Sequence, residues 1–462
     1  MTRIKNTDPC VSVYITSHNY GRYLQQSIES VLSQTYDDYE LIIIDDGSVD
    51  ESREVLTQYC DHPKITTILQ ENKGLPTTNN IALHLARGEF IVRLDADDYF
   101  DQNALRVLTD AFARNPKAGM VFPDYYLVDA SGEIIQLVRR HDFKRVTLHD
   151  QPAHGAGTMI RRKFLVELGG YNQDLTCQDG YELWVRFIQH HKVMNVNLPL
   201  FYYRQHPDSL TTRKEEILRV RAKLLEQATS KKKESLETVG VVAVRGQVFD
   251  NDSLPLTELG GKALINWTID ELLKTRRINR IVATTPDPLV IKHLSEAYGN
   301  RIDIFPREPN LALLNTRLDA TVSFVLKQLS IIGYQPTALM LLPIETPLRS
   351  ARNIDMAVDV MEVFQSDSVI AVRPELDPLF SHNGNGLIPV HKTAELRLER
   401  DEVYRDVGSI RLGRVAHFEK EKKLIGGRVG HIVVGGEDAL KLESRLSWKI
   451  AHLLVKSHEE SH

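Results

Sequence analysis

Two acidic pairs have a spacing that could do chemistry. Asp95 and Asp97 are one residue apart in Leu94-Asp95-Ala96-Asp97-Asp98, and Asp45 adjoins Asp46 in Asp45-Asp46-Gly47-Ser48. Carboxylates placed like Asp95 and Asp97 at a strand end can hold one hard divalent ion, directly or through water. They leave coordination positions open for phosphate oxygens. Such an ion offsets charge on a departing diphosphate, which is Lewis-acid assistance. Asp45 and Asp46 offer acceptors for a nucleoside's base and ribose, with Gly47 easing a tight turn. Each pair also has a plain structural reading. Asp101 could cap a helix that begins near Gln102, and Asp50 could cap the helix after Ser48. An EF-hand loop is excluded, because Phe100 stands where that loop needs glycine and Arg106 where it needs a carboxylate.

The elements around these residues alternate. Val11 to Ile15 is a short apolar run ending at Thr16-Ser17-His18-Asn19, and Gly21 to Gln34 carries Leu24, Ile28, Val31 and Leu32 at helical spacing. Leu41 to Ile44 is too short for a helix and reads as a strand buried on both faces. Glu51 to Tyr59 reads as helix, Ile65 to Leu69 as strand, Thr78 to Ala86 as helix and Phe90 to Leu94 as strand. This alternation predicts an α/β fold with a mostly parallel sheet, in which ligands gather at the carboxyl ends of the strands. The clusters Thr16–Asn19, Asp45–Ser48 and Asp95–Asp98 each follow a strand, so they are expected to converge.

A chain of 462 residues exceeds what one core usually serves, and two domains are expected. The segment from Arg213 to Glu237 is charged and helical and ends in Lys231-Lys232-Lys233, a solvated tether by composition. The predicted organisation is a first domain over 1–230, a linker over 231–238 and a second α/β domain over 239–462, with no internal sequence repeat. In the second, Leu264 to Leu273 reads as helix and Arg280 to Thr285, Ala338 to Leu342 and Asp367 to Val372 as strands. The net charge of −5 offers no basic excess for nucleic acid. Cys10, Cys60 and Cys177 form neither a disulfide framework nor a zinc cluster, which fits reducing, cytoplasmic surroundings. The N-terminus has no signal-peptide pattern, and no apolar run reaches the roughly 20 residues of a membrane span. Peripheral membrane contact stays open, and the sequence is silent on oligomeric state.

The order of motifs is more specific than any one of them. VSVYITSHNYGRYLQQSIESVLSQTYDDYELIIIDDGSVD, ENKGLPTTNNIALHLARGEFIVRLDADD, GAGTMIRRKFLVELGGYNQDLTCQDGYELWVRF and FYYRQHPDSLT together resemble family 2 glycosyltransferases of the GT-A fold, over residues 9–213. The resemblance implies an inverting, metal-dependent sugar transferase using Mn2+ or Mg2+ and a nucleoside-diphosphate sugar. UDP-sugars are that family's commonest donors. Asp46, with Asp45 beside it, then binds base or ribose, Thr16 and Asn19 lie in the nucleotide-cradling loop, and Asp95 flanks the nucleotide. Asp97 is the first metal ligand, joined by Asp95, and His206 closes over metal and diphosphate. Arg204 adds charge near the phosphates. Asp179 resembles the general base that takes the acceptor hydroxyl's proton; the competing reading is a helix N-cap. Departures are Gln178 before Asp179 where relatives carry Glu, Thr16 where proline is usual, and Thr78-Asn79-Asn80 for Ala-Arg-Asn. No Gln-x-x-Arg-Trp follows, against processive synthesis.

The second half has its own resemblance. Val239 to Val244 followed by Arg245-Gly246, then GGKALINWTIDELL, LLPIETPLRSARNIDMAVDVM, SDSVIAV and IGGRVG, resemble cytidylyltransferases that make CMP-activated nonulosonic acids such as sialic acid. The implied nucleotide contacts are Arg245, Gly246 and Lys262. The loop lysines of relatives are absent from Gln247–Asp252, and their metal-binding Asp-Ile-Asp segment is here Lys441-Leu442-Glu443. An ammonium in place of a carboxylate removes a ligand and repels the cation, which points to a catalytically degenerate domain.

The leading expectation is therefore a glycosyltransferase acting on a glycan or lipid-linked acceptor in surface polysaccharide biosynthesis. The alternatives are a bifunctional glycosyltransferase and CMP-nonulosonic acid synthetase, and a non-catalytic scaffold.

Overall fold

A computed structural model describes residues 8–139, 152–175, 177–206, 214–230, 235–246, 254–312, 318–375, 377, 379–390 and 403–460. The chain divides into two compact units, Met1–Arg221 with Pro378–Asp401, and Ala222–Asp377 with Glu402–His462. The first contains β1 (Val11–Ser17), α1 (Gly21–Leu32), β2 (Tyr39–Asp46), α2 (Ser52–Thr57), β3 (Ile65–Gln70), α3 (Leu75–Leu85) and β4 (Phe90–Asp95). It continues with β5 (Tyr99–Phe100), α4 (Ala104–Arg114), β6 (Ala118–Val128), β7 (Ile134–Val138), β8 (Met159–Arg161), α5 (Arg162–Glu167), α6 (Asp179–Phe187) and β9 (Lys192–Arg204), then α7 (Lys214–Ser230).

Among the described residues its sheet runs β3-β2-β1-β4-β8-β6-β9-β5, with β7 on β6. β1 to β4 are mutually parallel. β8 runs antiparallel to β4 and β6, and β9 parallel to β6. β1 and β2 are buried along their whole length, as continuous apolar strands covered on both faces must be. Leu24, Ile28 and Val31 form the buried stripe of α1 and join Val13, Ile15, Leu41, Ile43 and Leu94 in one core. Register brings the strand ends level: Thr16 lies beside Ile44 and Asp95, and Ser17 beside Asp45.

Several boundaries differ from the sequence reading. α3 starts at Leu75 rather than Thr78, because Gly74 at φ +82° turns the chain in and Pro76 sits in the first turn. α4 starts at Ala104 after Asn103, while the Asp101 carboxylate accepts the Asn103 N–H at 2.8 Å. The division between units falls inside α7, and residues 378–401 group with the first unit, whereas the sequence placed the break after 230 and kept 239–462 together. Residues 231–234 of the expected linker, with Lys231–Lys233, lie outside the described residues.

Downstream lie β10 (Thr238–Ala243), β11 (Glu258–Leu259), β12 (Lys262–Ala263), α8 (Leu264–Leu273), β13 (Arg280–Thr285), α9 (Pro288–Tyr298), β14 (Asp303–Pro306), α10 (Leu318–Ile331), β15 (Ala338–Leu341) and α11 (Ala351–Val363). Then come β16 (Ser368–Glu375), β17 (Phe380–His382), β18 (Leu387–Pro389), β19 (Val403–Arg414), α12 (Val415–Glu421), β20 (Val429–Val433) and α13 (Arg445–Glu460). The second unit's sheet is β14-β13-β10-β15-β19-β16-β20. Leaving out β5 and β7 and ranking each unit's strands in chain order, both sheets read 3-2-1-4-6-5-7. Strand directions also agree, with four parallel strands, one antiparallel to both its neighbours, and a last parallel pair. No described helix is long and apolar enough to cross a membrane.

Gly47 follows β2 at φ +81°, and a Cβ there would sit 2.7 Å from the Asn72 amide nitrogen. Gly47→Ala is expected to cost about 1–2 kcal/mol from the backbone conformation alone. In urea unfolding the midpoint should drop at constant slope.

Candidate functional site

The carboxyl ends of β1, β2 and β4 border a cavity of ≈ 310 Å³ whose lining includes Thr16, His18, Asp46, Gly74, Thr78, Arg93, Asp95, Asp97 and Tyr203. It sits where parallel sheets offer their ligand sites, and Gly74 and Leu75 at the positive dipole end of α3 are part of its lining.

Asp46 is 5% exposed and holds the cavity's far wall. Its carboxylate accepts Gln70 Nε2 at 2.7 Å and the Lys73 and Gly74 amides at 2.8 and 2.9 Å. His18 Nδ1 bonds the Asp46 carbonyl at 2.9 Å. Asp45, predicted to act beside it, does not line the cavity. Neighbours on a strand face opposite ways, and Asp45 is fully buried, accepting the Ser48 amide at 3.3 Å and facing Arg53 at 3.5 Å. Asn19 is also turned elsewhere. At φ +61° it ties the loop after β1 to the loop after β2, its amide donating to Ser48 Oγ and its Oδ1 accepting the Val49 amide. Thr16 is a lining residue, as expected.

Asp95 and Asp97 line the cavity at the end of β4, and the adjoining Asp98 is buried outside its lining. Asp97 Oδ2 is 3.0 Å from His206 Nε2, whose side chain is fully buried. Burial pushes the Asp97 pKa up and the charge of Asp95 adds to this, while the His206 hydrogen bond pulls it back. His206 is thus brought beside Asp97; residues 207–211 of its motif lie outside the described residues. Arg204 was expected near phosphates, but the structure commits its guanidinium to other acceptors. Nε donates to the Asp97 carbonyl, Nη1 to the Asp129 and Ala130 carbonyls, and Nη2 to Gln26 Oε1 at 2.6 Å. Its plane lies over Tyr23 at 4.5 Å. Arg204 is a brace for the Asp97 turn.

Arg93, which the sequence reading overlooked, connects this wall to Asp179. Its Nε and Nη2 donate to both oxygens of Asp95, at 2.5 and 3.0 Å, and its Nη1 donates to Asp179 Oδ2 at 2.7 Å. Burial acts to lower its pKa; Asp95 and Asp179 outweigh that and hold it well above the ordinary value. The signal was available, since a strand reading Phe-Ile-Val-Arg-Leu buries a charge that must find a partner. Asp179 opens α6 without capping it. Gln178 takes the cap position at φ +63°, and no side chain caps the turn. Asn79 Nδ2 gives Asp179 Oδ2 a second bond at 3.1 Å, so Oδ1 takes none from the described residues.

The corresponding edge of the second unit is built differently. After β15 come Leu342 and Pro343 where β4 leads into Ala96 and Asp97, and the cavity among these strand ends is ≈ 60 Å³ and largely apolar. Gly246 at φ +83° is required by Asp287, whose side chain a Cβ would strike. Lys262 is held by Asp270 at 2.5 Å and lies 4.5 Å over Trp267. Arg307, also missed, is 6% exposed with Nε and Nη1 unpartnered. Burial and the charge of Arg245 bring its pKa down to about 10. Gln247–Asp252 lie outside the described residues.

Among the described residues no group of three or more His, Cys, Asp or Glu is arranged to hold a metal. Asp95 and Asp97 nevertheless suit a hard divalent ion, since Mg2+-type sites use one or two carboxylates and complete their shell with water and phosphate. Burial, with the charge of Asp95 added, already raises the Asp97 pKa, and a bound cation would offset both.

Residues 12–169 match the family model described as Glycosyl transferase family 2. Chondroitin synthase of Escherichia coli is 36% identical over 128 residues, 28% of this chain and 19% of that protein. Hyaluronan synthase of Pasteurella multocida is 27% identical over 213 residues, 45% of this chain and 22% of its own length. Glycosyltransferase GlyG of Streptococcus pneumoniae is 33% identical over 136 residues, 29% of this chain and 45% of its own. The chain thus spans less than half of each of these curated relatives. Among solved structures, S. aureus TarS 1-349 in complex with UDP-GlcNAc has a TM-score of 0.40 at 15% identity, covering 49% of this chain and 68% of that one. At that TM-score the likeness supports no conclusion about ligand or mechanism.

Asp98 is 1% exposed, with Oδ1 accepting the Arg204 amide and Oδ2 buried without a partner. Burial first, then the charges of Asp97 and Asp95, hold its pKa well above the usual carboxylate range. The folded state therefore binds this proton more tightly than the unfolded chain, and stability from Asp98 is lost as pH rises through the folded pKa. Asp98→Asn should exceed wild type in unfolding free energy at pH 8 by about 1–3 kcal/mol. That gap should close as the pH is lowered.

Proposed function

Because residues 12–169 match the family model of Glycosyl transferase family 2, we propose that the first unit transfers a sugar, with inversion, from a nucleoside-diphosphate sugar to an acceptor hydroxyl. A UDP-sugar is the favoured donor, and a glycan or lipid-linked acceptor of surface polysaccharide the favoured partner. The observation that carries this reading is the meeting of Asp46, Asp95 and Asp97 around one cavity, with Arg93 linking that cavity to Asp179. The names of the chondroitin and hyaluronan synthases support the polysaccharide setting.

In this mechanism the nucleoside lies against the Asp46 wall and the diphosphate faces Asp95 and Asp97. Asp95 and Asp97 would hold Mn2+ or Mg2+, with His206 beside Asp97, and the ion would supply Lewis-acid stabilisation of the departing diphosphate. Asp179 acts as base. Its Oδ2 is fixed by Arg93 and Asn79, leaving Oδ1 to take the acceptor's proton as that oxygen attacks the anomeric carbon. The new C–O bond forms as the bond to the diphosphate breaks, and its electron pair leaves with the phosphate.

We also propose that the second unit is a cytidylyltransferase-like domain without turnover. Its strand-end positions are apolar, and Lys441 pairs with Glu443 at 3.5 Å in the stretch where relatives bind metal. Pyrophosphate release on incubation with CTP, a nonulosonic acid and Mg2+ would refute this part.

A panel of nucleoside-diphosphate sugars with Mn2+ or Mg2+, read by calorimetry and donor hydrolysis, tests the main proposal; no binding by any of them rejects it. Asp97→Ala is expected to abolish metal-dependent donor turnover. Asp179→Asn should bind donor normally and lower transfer about 10²- to 10⁴-fold; unchanged transfer removes Asp179 as base.

A further inference from the structure

Arg93 on β4 and Asn79 on α3 hold Asp179 Oδ2. We propose that Arg221, acting through the residues that flank Asp179, is a positioning residue for the transfer step; this rests on Asp179 being the base. Gln178 adopts φ +63°, ψ 25°, a left-handed conformation that a residue with a Cβ disfavours. Something must hold it there. The Gln178 side chain does not cap α6; its Oε1 accepts a 2.7 Å hydrogen bond from Arg221 Nε. The same guanidinium lies 4.8 Å over the ring of Tyr181, a buried residue in the first turn of α6.

Gln178 and Tyr181 bracket Asp179. One side chain on α7 therefore fixes the backbone entering the turn and the ring just beyond the carboxylate. With both held, the Asp179 Cβ has one direction, Oδ2 remains on Arg93, and Oδ1 stays clear of hydrogen bonds from the described residues. Arginine suits the task better than lysine, because a planar guanidinium donates along its edge while stacking through its face. Loss of the tether lets Gln178 relax toward right-handed backbone and swings the carboxylate. A displacement of about 1 Å at a reacting group costs on the order of 10²-fold in rate.

The test uses the full chain and the UDP-sugar and acceptor pair that wild type turns over fastest. Arg221→Ala and Gln178→Met both break the tether, and the second leaves Arg221 on Tyr181. Both are expected to lower kcat about 10- to 100-fold, with the donor KM and the calorimetric affinity for UDP with Mn2+ within about twofold of wild type. Gln178→Glu keeps an acceptor for Arg221 and should stay within about threefold of the wild-type kcat. Wild-type kcat in Gln178→Met overturns the proposal, and so does a loss of UDP affinity as large as the loss of kcat. If Asp179→Asn is itself fully active, the base assignment fails and this inference with it. If Asp179→Asn is inactive and Gln178→Met is normal, only the role of Arg221 fails.

Discussion

One guanidinium shared by two carboxylates organises the first unit. Arg93 sits on β4 inside a mixed sheet, where a lone buried charge would be prohibitively costly. It is tolerated because Asp95 meets it with both oxygens and Asp179 with one. The cluster thus joins residues 86 positions apart in the chain. It joins the cavity wall that suits diphosphate and cation to the carboxylate proposed to receive the acceptor's proton. Removing Arg93 would leave Asp95 and Asp179 without the cation that compensates them.

Around that cluster the remaining polar groups hold loops in place. Asp46 gathers the 70–74 segment, Asn19 laces the loops after β1 and β2, and Arg204 ties the Asp97 turn to carbonyls at 129 and 130. Several side chains expected to touch ligand are thus braces for those that line the cavity. Preorganisation of this kind keeps a site from having to rearrange when ligand arrives.

The strands and their order of polar ends were legible because buried parallel strands are short apolar runs that stop abruptly. Val11, Leu41 and Phe90 start such runs, and the acidic clusters follow. The orientation of Asp45 was legible too, from the alternation of side chains along a strand, but pairing it with Asp46 by sequence proximity concealed this. The start of α3 was hidden because its signal is a glycine conformation, not periodicity. The bonds from Arg93 to Asp179 and from Arg221 to Gln178 are tertiary contacts, and no local pattern encodes their partners. The match to one family reaches residues 12–169, and so bears on the first cavity alone.

The repetition of one strand order in both units has a consequence for how the chain tolerates change. The same strand order is present twice, but among the described residues β4 leads into Ala96 and Asp97 whereas β15 ends at Leu341 and leads into Leu342 and Pro343. Substitutions at the second edge are constrained by packing volume, so aliphatic exchanges of similar size should pass unnoticed. At the first edge even Asp-to-Glu lengthens a side chain within a fixed ring of charges. Two surfaces built on one blueprint would thus record mutations on different scales, one steric and the other electrostatic.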